Sequence, residues 1–205
     1  MTDSSGFEAR ARNSVQASIA TKQALLTDAS LISAVAAAAD ALVNVFRKGR
    51  QVLLFGNGGS ASDAQHITAE LVGRFAFDRP ALPAISLAEG LSNVTAIAND
   101  HGFDQVFARQ LEALARPGDL AIAISTSGNS PNVLAGVAAA KKIGAYTVGL
   151  TGRSGGRLKP FVDVCLCIPS DDTPRIQECH ILVGHILCEI VESELFKGHQ
   201  SLPNP

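Results

Sequence analysis

Two loops and two helical rows in this sequence carry side chains that could do chemistry together. The first loop is Ser125-Thr126-Ser127-Gly128-Asn129-Ser130, four hydroxyls within six residues. It follows the apolar run Leu120 to Ile124 and precedes Pro131. A short continuous apolar run reads as a strand buried on both faces. Ser130 as N-cap and Pro131 as first helical residue read as a helix start, and Gly144 as the residue that closes it. Hydroxyls set against the free amides and positive dipole end of a helix make an anion site. The loop holds no Lys or Arg, so the anion it suits is a mobile phosphomonoester held by neutral donors. An ordinary polar strand-to-helix turn is the plainer reading. The density of hydroxyls at the C-terminal end of a buried strand favours phosphate.

The second loop is Gly56-Asn57-Gly58-Gly59-Ser60-Ala61, which matches the form GxGxxA. A dinucleotide site would need an acidic residue closing the second strand about twenty residues on. Asp78 is too early and Glu89 too late, and a long helical segment precedes the first strand. No Gly-Lys-Ser/Thr follows, so it is not a nucleoside-triphosphate loop. It reads as a close-approach loop whose glycines bring backbone amides, and Asn57 its side-chain amide, to a ligand in the same cleft.

The helix after it carries His66 and Glu70 at i, i+4, with Arg74 one turn further on. The last helix carries Gln177, Ile181 and His185 on one row, with His180 as a competitor at i+3 from Gln177. Imidazole and carboxylate facing one cleft can move protons or hold a metal ion. Spacing alone equally fits a solvated polar stripe, and a lone His in an apolar helix is more often a satisfied core residue. It does not choose between His180 and His185.

The elements that must position these groups alternate. Strands are expected at Val52–Phe55, Pro83–Leu87, Leu120–Ile124, Tyr146–Leu150 and Val162–Ile168. Helices are expected between them at Ser60–Phe75, Leu91–Ile97, Phe103–Ala115 and Pro131–Ile143, and a long one at Pro174–Phe196. That order predicts an α/β three-layer sandwich with a five-stranded parallel sheet, its ligands at the carboxyl ends of the strands. Residues 1–6 read as loose, and Phe7–Thr27 and Leu31–Lys48 as two N-terminal helices. Their apolar stripe suits packing on the same domain and on partner subunits. The expected division is 1–50 for these helices, 51–197 for the sheet domain and 198–205 for a tail.

Length and composition narrow the function. A chain of 205 residues suffices for a substantial core. Net charge −2, no Trp and one Tyr give nucleic acid neither a basic stripe nor a stacking platform. Met1 to Gly6 has no basic region followed by an apolar core, and the apolar stretch Leu31 to Phe46 reads as too short for a membrane span. Cys165, Cys167, Cys179 and Cys188 form no CxxC pair and read as buried reduced thiols of a cytosolic protein rather than as a zinc knuckle or a disulfide set.

Taken together, GNGGSASDAQHITAEL, AIANDHGF, ISTSGNSPN, GLTGRSGG and TPRIQECHILVGHI resemble the sugar-isomerase (SIS) domain, specifically the bacterial phosphoheptose isomerase family. The resemblance runs from about Val15 to Phe196. It implies a SIS, flavodoxin-like fold and a homotetramer with active sites at its interfaces. It implies an enzyme that converts sedoheptulose 7-phosphate to D-glycero-D-manno-heptose 7-phosphate for bacterial surface glycans. By motif it assigns Glu70 as catalytic base and His185 as acid, and His66, Glu70, Gln177 and His185 as zinc ligands. It assigns substrate contacts to Asn57, Gly58, Gly59, Glu70, Arg74, Asn99, Asp100, Ser125, Thr126, Ser127, Ser130 and Gln177. One departure is Pro174, where some members carry an acid before the Arg of the RIQE run; Asp171 and Asp172 are the nearby substitutes. Two rival readings share the fold: an isomerase of another sugar phosphate, and a non-catalytic SIS tetramer that binds the replication initiator. Relatives of the second kind lose the acidic residue and the final histidine, both kept here.

Overall fold

The computed structural model describes residues 4–197. Its sheet contains β1 (Val52–Gly56), β2 (Ala84–Ser86), β3 (Leu120–Ile124), β4 (Tyr146–Thr151) and β5 (Val164–Cys167), in the order β2-β1-β3-β4-β5. Every adjacent pair is parallel. All residues of β1 and β3 are buried, as their unbroken apolar runs require. The chain moves from β1 outward to β2, then returns to the other side of β1 for β3. The crevice at that reversal lies beyond the carboxyl ends of β1 and β3. The glycine loop leaves β1 there and the hydroxyl loop leaves β3.

Alternation along the strands divides the core in two. Val52, Leu54, Ile122 and Ile124 face α2 (Ala29–Arg47), α3 (Gly59–Val72) and α7 (Thr173–Leu195). Leu53, Phe55, Ala121 and Ala123 face α5 (Val106–Leu114) and α6 (Pro131–Ile143). The remaining helices are α1 (Ser4–Thr27) and α4 (Leu91–His101). Asp28 starts α2: its Oδ1 accepts from Ser30 N and Leu31 N, each at 3.0 Å. The Ser30 hydroxyl, then the Leu31 amide, hold that carboxyl below its usual range.

Several boundaries differ from expectation. Helix α1 already includes residues 4–6, which were expected to be loose; the proposed tail, 198–205, lies outside the described residues. Helix α2 has 19 residues with a mean hydropathy of 1.8, so its length and composition are sufficient to cross a membrane, contrary to the expectation of too short a span. Its Leu31, Val35, Leu42 and Phe46 are instead buried in the core. Helix α3 stops at Val72, with Gly73 as its cap, so Arg74 leaves the helix face on which spacing placed it. Strand β5 begins late because Lys159–Phe161 forms a 3-10 turn and Asp163 is drawn to Thr147, whose amide and hydroxyl both donate to Asp163 Oδ2.

Candidate active site

The hydroxyl loop is closed on itself and backed by a second loop. Gly128 N donates to Ser125 O at 3.0 Å, and the Ser125 and Ser130 hydroxyls share a hydrogen bond at 3.1 Å. Ser130 has the backbone of an N-cap, but its side chain makes no capping bond, so the first-turn amides of α6 are left for a ligand. Gly128 has φ 65°, and a Cβ there would lie 2.2 Å from Gly155 O. Only glycine permits that approach. Leu158 N donates to Gly128 O and Arg157 N to Asn129 Oδ1, both at 3.0 Å.

Thr126 and Ser127 line a cavity of about 300 Å³ with Asn129, Arg153, Ser170 and Asp171. Arg153 therefore adds a guanidinium to a site that the sequence reading gave only neutral donors. Its Nε lies 3.1 Å from Asp171 Oδ2. The signal was present: Arg153 closely follows β4, the neighbour of β3, and ligands gather at strand carboxyl ends. Asp172 serves as the N-cap residue of α7.

Helices α3 and α7 bring the second cluster together. A Cβ on Gly184 would lie 2.6 Å from Ile67 Cδ1, so this glycine lets the two helices touch at the level of His66 and His185. His66 Nε2 lies 2.9 Å from His185 Nε2 and 3.4 Å from Glu70 Oε1. The ligand atoms of all three lie within 4.8 Å of one another. The Phe75 ring lies against that of His185, with centroids 5.7 Å apart and planes tilted by 43°. Two imidazoles and a carboxylate form a donor set used by catalytic zinc, which leaves a position open for substrate. Separations of 2.9 and 3.4 Å suit atoms sharing one ion at bonds of about 2.0–2.2 Å. The residues therefore fit the group.

The packing also decides between the two histidines. His180 is fully buried, with Nε2 3.2 Å from Thr151 O and Nδ1 unpartnered. Burial pushes its pKa down to about 4. A neutral ring donating from Nε2 fits those surroundings, and His180 is a core residue. One turn before His66, Asp63 is half-buried with Oδ2 unpartnered; burial raises its pKa to about 6, against the opposing pull of His66.

The family model for the SIS domain matches residues 17–152. A phosphoheptose isomerase from Sulfurimonas denitrificans is 49% identical over 185 residues, covering 90% of this chain and 95% of that protein. One from a Roseiflexus species is 54% identical over 184 residues, covering 89% and 92%. The solved phosphoheptose isomerase from Neisseria gonorrhoeae superposes with a TM-score of 0.86 at 39% identity, covering 91% of this chain and 99% of that one. The chain belongs to the phosphoheptose isomerase family. The expected family residues fall into groups within this single chain. His66, Glu70 and His185 converge. Gln177 lies two turns before His185, with its amide against Gly59. Asn57 is engaged with Asn132 in a reciprocal pair of amide bonds, both 2.9 Å, which ties the glycine loop to the start of α6. Gly58 holds φ 56° at the turn into α3. Asn99 donates to Asp100 at 2.7 Å on exposed α4, and Arg74 is exposed beyond α3. Among the described residues, no hydrogen bond or ion pair links these last three to the His-Glu-His cluster.

Spacing along the sequence gave no sign of the support beneath the Glu70 end of α3. Arg79 and Glu192 form a buried ion pair, Nε to Oε1 at 3.0 Å. Arg79 Nη2 donates to the Glu70 carbonyl at 2.7 Å, and Nη1 donates to those of Leu71, Gly73 and Pro80. Glu192 accepts from Phe75 N and Ala76 N at 3.0 and 2.6 Å. The pair thus fixes the end of α3 and the loop that presents Phe75 to His185. Nothing in the spacing of residues 79 and 192 announces it.

Proposed function

We propose that this chain is a ketose–aldose isomerase that interconverts sedoheptulose 7-phosphate and D-glycero-D-manno-heptose 7-phosphate, for bacterial heptose synthesis. The convergence of His66, Glu70 and His185, in a chain of this family that also keeps the hydroxyl loop, carries the reading. Moving a proton between C1 and C2 through an enediol needs a carboxylate base at carbon and an acid at oxygen. Glu70 takes the carbon-bound proton. Its Oε1 faces His66, so its second oxygen is the one that turns to substrate. His185 gives a proton to the substrate oxygen. The Ser125–Ser130 loop and the start of α6 hold the phosphate and so fix the orientation of the sugar.

One zinc ion per subunit would be held by His66, Glu70 and His185, with Gln177 as the fourth donor. When bound, the ion supplies an electrophile that polarises the substrate carbonyl. Glu70 and His185 serve both tasks, and a carboxylate given to a metal is a weaker base; Gln177 is a weak donor beside a Cys or a third His, so the ion would be held loosely. Exposed Phe7, Val15, Ile19 and Leu26 on α1 support a homotetramer built through the N-terminal helices. Its interfaces would complete the site, bringing Asn99, Asp100 and Arg74 to a neighbour's cleft. Four free cysteines and a net charge of −2 support a cytoplasmic enzyme acting on a small molecule.

Incubating the protein with sedoheptulose 7-phosphate should yield the aldoheptose 7-phosphate, detected by NMR. Turnover of a shorter ketose phosphate instead, with sedoheptulose 7-phosphate inert, would transfer the chain to the rival isomerase reading. Verified removal of the metal should lower turnover, and zinc should restore it.

A further inference from the structure

The edge strand β5 carries a second cluster of ligating atoms, remote in sequence from the His-Glu-His cluster. Cys165 and Cys167 lie two residues apart, so both side chains point to one face. Their sulfur atoms are 3.6 Å apart, and Thr151 Oγ1 lies 3.7 and 3.4 Å from them. Both residues are half-buried and line a cavity of about 270 Å³ with Asp28, Ser30, Arg153 and Lys159.

We propose that Cys165 and Cys167 form a chelating site for a thiophilic divalent cation of the zinc–cadmium class. The separation supports it quantitatively. With metal–sulfur bonds of about 2.3 Å, sulfurs 3.6 Å apart subtend about 103°, close to a tetrahedral angle. A disulfide fits poorly. Residues two apart on an extended strand have Cα atoms about 6.6–6.8 Å apart, at the limit a disulfide tolerates, so bond formation would contract the strand. Charge agrees as well. Once both thiols have given up their protons, the two thiolates, Asp28 and the Arg153–Asp171 pair would stand against Lys159, a net charge of −2 for a divalent ion.

Binding releases the two thiol protons to solvent as two sulfur–metal bonds form. Gly155 separates this site from the substrate's anion: a Cβ there would lie 3.1 Å from Cys167 Sγ, and its carbonyl abuts Gly128 of the hydroxyl loop.

Titration of the whole protein with cadmium chloride, read by the ultraviolet thiolate-to-cadmium charge-transfer band, tests this. Histidine and carboxylate ligands give no such band, so cadmium at the His66 cluster is silent. The band should saturate at one equivalent per chain, weaken at least tenfold in affinity in Cys165→Ser and in Cys167→Ser, and persist in Cys188→Ala. No band in the wild-type protein, or one that survives the double serine variant, would overturn the proposal. Should the serine variants fail to fold, Cys179→Ala with Cys188→Ala decides instead: the band should persist in it, and its loss there would overturn the proposal.

Discussion

Replacing Arg79 with Met would remove the cation of a buried ion pair while keeping most of its volume. The Arg79 and Glu192 side chains are 1% and 2% exposed, so Glu192 would be left as a desolvated charge. It would keep its bonds from Phe75 N and Ala76 N, but the carbonyls of Glu70, Gly73 and Pro80 would lose the Arg79 donor, and that of Leu71 would keep only Leu82 N. Removing one member of a buried pair costs about 3–5 kcal/mol. Domains are stable by about 5–15 kcal/mol, so the variant should fold but melt early. At roughly 2–4 °C per kcal/mol for a chain of this size, the melting temperature should fall by about 6–20 °C. Urea unfolding at fixed protein concentration gives the free energy directly. The paired variant Arg79→Met with Glu192→Gln removes the stranded charge and keeps an acceptor for the loop amides. It should therefore be more stable than the single variant, a coupling visible in a double-mutant cycle. A single-variant loss below about 1 kcal/mol, or a double variant worse than the sum of its parts, would refute the assignment of this pair as the anchor of α3.

Three further outcomes follow from the same geometry. His180 has a folded pKa near 4 against an ordinary 6.5. Above pH 6.5 both states are neutral; as pH falls towards 4 the unfolded chain takes a proton that the folded chain refuses. Stability should therefore fall across that window by roughly 3 kcal/mol, and His180→Gln, which can still donate to Thr151 O, should flatten the slope in urea titrations. Gly128→Ala places a methyl 2.2 Å from Gly155 O in a left-handed backbone, so it should cost about 1–3 kcal/mol in unfolding and raise KM for the sugar phosphate at least tenfold; an unchanged KM would detach this loop from phosphate binding. Glu70→Gln should abolish turnover while sedimentation shows the wild-type assembly, and near-normal turnover would remove Glu70 from the base role.

The fold was legible wherever local pattern and tertiary need agree. Strand β3 and helix α6 have the bounds that their apolar run, Pro131 and Gly144 indicate. The long C-terminal helix begins one residue early and ends one residue early. Misses occur where distant partners intervene. Glu192 draws the loop after α3 out of helical register, which carries Arg74 off the predicted face. Asp163 holds the chain before β5 through Thr147. The site was legible as residue types but not as contacts. His180 and His185 share a helix with apolar neighbours, and only the packing of α7 shows one against Thr151 O and the other against His66. The Asn57–Asn132 pair joins residues 75 apart in sequence, and Arg79–Glu192 joins residues 113 apart, separations at which no periodicity operates.

The most direct test of the enediol account is solvent exchange. Wild-type protein and sedoheptulose 7-phosphate in D2O, followed by NMR, should place deuterium at C2 of a new aldoheptose 7-phosphate. Glu70→Gln should place none. Aldose formation without solvent deuterium, at early conversion and in repeated preparations, would contradict proton transfer through an exchangeable Glu70 carboxyl. Deuterium incorporation undiminished in Glu70→Gln would assign the base to another residue.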